Sequence, residues 1–237
     1  MLTRRYILSL AAAVPLASLS LQAGPFQDFE SEVRMAYADY RAALFRTNTN
    51  DRAASEAAID RTSAKWKALT SKWSASPPPQ YVEDKQFGAT MGKVLEILNE
   101  ARVQVGKGHL AEAHETLEKI RDELAALRRR NGVIVFSDHM NAYHEQMEKV
   151  LLGKYDDFSA GGVMALRGDV AVLAYLLQEI VANPPADRDA NYGPALDAVR
   201  KSVQALNEAA AKGEADAIKA AIKTLKQPYA RLFLSYG

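Results

Sequence analysis

The sequence predicts an all-α protein: a tandem duplication of an up-down-up-down four-helix bundle, eight helices in all. Three observations point there. Apolar residues step by three and four through nearly the whole chain after Gly24, residues that end helices interrupt that rhythm, and the interruptions recur at a constant offset.

The first element is not part of that fold. Arg4 and Arg5 supply a charged start, Ile7 to Leu21 is mostly apolar with Pro15 inside it, and Leu21-Gln22-Ala23 offers a small residue for cleavage before Gly24. Residues 1–23 are therefore expected to be a signal peptide, and the chain a periplasmic protein. Thr3-Arg4-Arg5-Tyr6-Ile7-Leu8 resembles the twin-arginine export pattern but lacks its usual basic residue after the leucine, so twin-arginine and Sec export both stand. No later segment reads as long and apolar enough to span a membrane.

The helices follow in order. Phe26, Phe29, Val33, Tyr37, Tyr40 and Leu44 set the first, which closes at Asn48–Asp51. Ile59, Trp66, Leu69 and Trp73 set the second, closed by Ser76-Pro77-Pro78-Pro79, with both tryptophans on its core face. Met91, Val94, Leu98 and Val105 mark the third, up to Gly106-Lys107-Gly108. Leu110, Leu117, Ile120, Leu124 and Leu127 mark the fourth, where Arg128-Arg129-Arg130 suits a helix C-terminus before Asn131-Gly132. Val133–Phe136 alternates weakly, the one hint of a strand, and forms the joint. The fifth helix covers 137–151 and stops at Gly153. An acidic, glycine-bearing connection (Asp156-Asp157, Gly161-Gly162) leads to the sixth, which ends at Asn183-Pro184-Pro185. The seventh ends at Lys212-Gly213, and the last carries Pro228 inside a helical pattern, which predicts a kink with Tyr229, Leu232, Phe233 and Tyr236 turned inward.

Punctuation repeats between the halves. Phe87-Gly88 answers to Tyr192-Gly193, Lys107-Gly108 to Lys212-Gly213, and Gly132 to Gly237, each 105 positions apart. The chain thus divides into repeats at 24–132 and 133–237, each of a length that suits a bundle with short turns.

Composition narrows the function. There is no cysteine, which excludes disulfides, thiolate metal sites and cysteine nucleophiles. Without Arg4 and Arg5 the chain holds 28 basic residues against 29 acidic ones, so it has no basic footprint for nucleic acid or anionic lipid. The Gly-x-Ser-x-Gly elbow, the phosphate-binding glycine loop, the His-Glu-x-x-His helix and paired Glu-x-x-His motifs are all missing, which argues against an enzyme.

The candidate site lies in "SDHMNAYHEQMEKVL". At about 100° per residue, Met140, Tyr143, His144, Met147 and Leu151 share one stripe expected to face the second core. His139 and His144 point about 140° apart, whereas Met140 with His144 and His144 with Met147 are paired at helical spacing. Thioether with imidazole suits copper, and carboxylates nearby bring iron within range. The candidate metal ligands are Met140, His144 and Met147, with His139 or a carboxylate behind them. The structural alternative is that the methionines fill the core and the histidine sits at its edge. No second cluster of His or Met on another helix completes the set. Met35, Met91 and Met164 are the nearest candidates.

Two resemblances bear on this. His109-Leu110-Ala111-Glu112 resembles the His-x-x-Glu motif of imelysin-type and periplasmic iron-uptake helical proteins, but Lys107 stands where that motif carries glycine. His114 and Glu118 form a further pair on the polar edge of that helix. The four-helix unit resembles cytochrome b562 and cytochrome c′. Covalent haem is excluded without cysteine, and the b-type set wants a histidine late in the fourth helix. Arg128–Arg130 and Phe233–Tyr236 hold those places, so Met35 or Met140 would lack a partner. The expected function is an exported accessory or binding protein that holds a copper or iron ion on the Met/His face. The alternative is a metal-free helical module for a protein partner or small organic ligand, and a b-type haem carrier ranks last.

Overall fold

A computed structural model describes residues 24–155 and 158–237. The expected signal peptide and Asp156-Asp157 lie outside the described residues. Among the described residues there are nine α-helices and no strand: α1 (Pro25–Asn48), α2 (Arg52–Trp73), α3 (Phe87–Gly106), α4 (Leu110–Arg130), α5 (Phe136–Leu152), α6 (Ala160–Ala182), α7 (Tyr192–Lys212), α8 (Ala215–Lys223) and α9 (Lys226–Tyr236). The fold is all-α.

Local chemistry fixes the ends. Pro25 opens α1, where its missing N–H costs nothing. The Asp51 carboxylate accepts the Ala54 N–H at 3.1 Å and starts α2. Gly213 ends α7 at φ 74°, a left-handed conformation that glycine adopts without strain. Starts of α3 and α7, and of α4 and α8, fall 105 positions apart (87 to 192, 110 to 215).

Helices α1 to α4 form a closed ring with neighbours antiparallel. Asp39 meets Arg61 while Glu32 meets Lys72, so α1 and α2 run oppositely. The Trp66 indole donates to the Met91 carbonyl at 2.9 Å, and the Tyr40 hydroxyl donates to the Leu117 carbonyl at 2.8 Å. Their core packs Phe29, Tyr40, Ile59, Trp66, Leu98 and Leu117. The long α2–α3 connection joins it through a single 3-10 turn, Pro79–Tyr81, whose Tyr81 ring sits 5.5 Å from Phe29 and 5.4 Å from Phe87.

Helices α5 to α9 surround a second core that includes Met140, Tyr143, Met147, Leu173, Val199 and Leu232. The two cores share no buried residue, and half-buried Phe233 packs against both. Near the start of α6 the Tyr155 carbonyl rests on the backbone of Gly162, where any Cβ would overlap it.

Three expectations need correction. The last helix is broken rather than kinked. Pro228 lacks an N–H and its ring would strike the carbonyl of Thr224, so the chain leaves the helix at Thr224-Leu225 through short bonds to Ala221 and Ile222. Val133–Phe136 forms no strand: Val135 is extended, and Phe136 already begins α5. Finally, α6 is long and apolar enough to cross a membrane by length and composition, with 28% of its most apolar 18-residue stretch buried. Leu166, Val170, Leu173 and Leu177 face the core, while Met164, Val172 and Tyr175 leave its outward face apolar as well.

Candidate functional site

The link between α4 and α5 is only five residues, so the end of one bundle lies directly beside the start of the other. With α1 and α9 these helices wall a groove of about 1100 Å³. Three arginines organise it.

Arg128 is buried and joins the bundles. It bonds Asp138 at 3.2 Å and Ser137 at 3.1 Å, both on α5, and lies 3.5 Å from Glu30 on α1. Glu30 also accepts the Tyr81 hydroxyl at 2.9 Å. Burial opposes the Arg128 charge, but Asp138 and Glu30 outweigh it and hold its pKa above the ordinary value. Asp138 is shared: its other oxygen accepts the Val135 N–H at 3.0 Å and caps α5. The sequence reads Arg128-Arg129-Arg130 as a basic helix C-terminus, and α4 does end there. Within it Arg128 is buried, and Arg130 pairs with Asp84 at 3.0 Å.

Arg41 holds the opposite wall. From α1 it donates to the carbonyls of Leu234 and Ser235, each at 3.2 Å, and to that of Gly237. A buried cation thereby meets the negative end of α9.

Arg121 runs across the floor. It pairs with Glu118 and donates to His144 Nδ1 at 3.0 Å. His144 Nε2 lies 3.5 Å from Glu148, which lies 3.5 Å from Lys226. At the other end His114 Nε2 is 3.6 Å from Glu118, while its Nδ1 meets Thr47 Oγ1 and the Leu44 carbonyl, both at 3.1 Å. Alternating charges thus form one polar ladder from α1 to α9.

Of the predicted ligands, His144 and Met147 both border the groove, while Met140 and His139 do not. Met140 and Met147 are fully buried in the second core. His144 meets that core only at its rim, through Tyr229. Its ring is half-buried at the groove, stacked 5.3 Å from Tyr229 at an interplanar angle of 6°. A residue at the edge of an apolar stripe can turn to either flank, and the Arg121 guanidinium on α4 draws this one to the rim. His139 is half-buried outside the groove lining. His109 is exposed, 3.2 Å from Glu112. Among the described residues no three His, Asp or Glu side chains are grouped to hold a metal ion. A guanidinium bonded to the only groove imidazole of the candidate set would repel an incoming cation.

Burial lowers the His144 pKa, and the Arg121 charge adds to that, with Lys226 in the same sense and Glu148 and Glu118 opposing. Nδ1 accepts from Arg121, so the neutral ring carries its proton on Nε2. The unfolded chain takes up a proton near the usual 6.5, whereas the folded chain resists it. Stability contributed here is complete above that pH and is lost as pH falls below it. His144→Gln should flatten the dependence of the urea midpoint on pH in that window. An unchanged slope would refute the assignment.

Sequence spacing names none of Arg41, Arg121 and Tyr229 as a site residue, and it reads Arg128 first as part of a basic helix end, with an anion or partner site as the lesser alternative. A signal existed. Arg41 is four after Tyr37 and three before Leu44, Arg121 is four after Leu117 and three before Leu124, and Arg128 is four after Leu124. Arginine on an apolar stripe marks a face that must pair its charge within the protein.

No protein-family model, curated protein or solved structure matches the chain.

Proposed function

We propose that the protein is an exported, non-enzymatic binding module that holds a small, amphipathic organic ligand in the groove between its bundles. The groove itself carries the reading. Its volume of about 1100 Å³ suits a ligand of that size, and Leu44, Phe45, Ile134, Leu152 and Phe233 supply apolar walls above the polar ladder. Asn141 lines this wall with its side chain beside the buried Tyr37 hydroxyl, a polar pair at the edge of the groove. Export rests on the N-terminal sequence alone.

The anionic amphiphile 1-anilinonaphthalene-8-sulfonate tests the site. Saturable fluorescence at one dye per chain is expected from the folded protein. Ala230→Trp, which fills the groove from α9, should abolish it while leaving the helical circular dichroism intact. Equal binding by that variant would sink the proposal. So would stoichiometric copper or iron in the purified protein that disappears with His144→Ala, a result that would restore the metal reading.

A further inference from the structure

The outward face of α6 lies away from the groove, which it does not line. Met164 is 68% exposed, Tyr175 62% and Val172 47%, and between them Gly161, Ala165, Gly168 and Ala171 are exposed as well. Nothing stands within 4 Å of where a Cβ on Gly161 or Gly168 would project. These positions recur every three or four residues, so they form one continuous apolar strip along the helix. The comparison with α2, second in the other bundle, is direct. There the outward face carries Arg61, Lys65 and Lys72, which reach across to Asp39 and Glu32 on α1. A contiguous apolar strip on a surface helix marks an interaction site rather than ordinary surface.

We propose that this face is a twofold interface on which a second copy of the chain packs its own α6 antiparallel. Charge complementarity selects that occupant. Arg167 and Glu179 flank or enter the strip, and neither takes part in an ion pair among the described residues. They stand six residues either side of Leu173. An antiparallel dyad at that level sets Arg167 of each copy opposite Glu179 of the other, two identical pairs from one geometry. It also lays Tyr175 over Ala171 of the other copy, and the glycines let the backbones approach closely enough for that packing. A foreign helix would need to supply both complementary charges, whereas this chain already carries them at symmetric positions.

The size of the strip sets the strength. A helix of 23 residues is about 34 Å long and its packed face about 10 Å wide. Two such faces bury on the order of 700–1000 Å², below the standard for a permanent complex, so the dimer exchanges.

Sedimentation velocity of the full chain tests this. The weight-average mass should rise with concentration across the micromolar range toward twice that of the monomer. Gly168→Glu places a carboxylate on open surface and should hold the chain monomeric with unchanged circular dichroism. Arg167→Glu or Glu179→Arg alone should each shift dimerisation to at least tenfold higher concentration, and the double variant Arg167→Glu/Glu179→Arg should restore it. A wild-type chain that stays monomeric throughout overturns the proposal. So does a double variant no better than the single ones, or a monomer that instead binds phosphatidylcholine–phosphatidylglycerol vesicles through Val172 and Tyr175.

Discussion

Arg128→Ala lowers the stability of the protein by about 3–5 kcal/mol, the cost of leaving buried carboxylate unpaired. Glu30 is as deeply buried as Arg128 and keeps only the Tyr81 hydroxyl when the guanidinium goes. Asp138 loses its partner at the same time, although its bond to the Val135 N–H remains. The loss therefore falls on both bundles at once. Urea unfolding of wild type, Arg128→Ala and the double variant Glu30→Gln/Arg128→Met separates the causes. Much of the deficit should return in the double variant, because a neutral amide and a methionine of similar length remove the charge that had to be paired. A single variant within about 1 kcal/mol of wild type would mean that the pair contributes no more than a surface ion pair does.

Tyr229→Ala should cost about as much, roughly 3–5 kcal/mol, by leaving a cavity beneath α5. The ring is buried between His144 at 5.3 Å, Tyr143 at 5.4 Å and Phe233 at 5.8 Å. Its hydroxyl donates to the Met140 carbonyl at 3.2 Å. Tyr229→Phe keeps the stack and should lose only about 1 kcal/mol, the net value of one hydrogen bond. The contrast matters more than either number. If Phe were as damaging as Ala, the hydroxyl rather than the packing would hold α9 against α5, and the groove wall would be a polar joint.

Helices and turns were legible because their causes are local. Apolar spacing, Asp51 as a cap, Gly213 at a left-handed position and Pro228 as a breaker all act within a few residues of themselves. Even the broken last helix was announced by Pro228. The break lies four residues earlier because the clash is with the preceding turn. What spacing could not show was the seam. Arg41 meets residues 234–237, and Arg121 meets His144 on another helix, so these partners depend on how two bundles dock. The same limit explains His144. Its place on the stripe was read correctly to within one flank, but which flank became the interior was decided by α4. The outward side of α6 is hidden from sequence for the opposite reason. Its core and surface sides are both apolar, so its pattern carries little contrast.

Gly162 has a consequence for tracing kinship. No other amino acid fits there on space alone, since even a methyl group would collide with the Tyr155 carbonyl. A descendant that replaced this glycine would have to move Tyr155 away from the start of α6. Glycine at that place, rather than any histidine or methionine nearby, is the mark by which chains following the same path can be recognised.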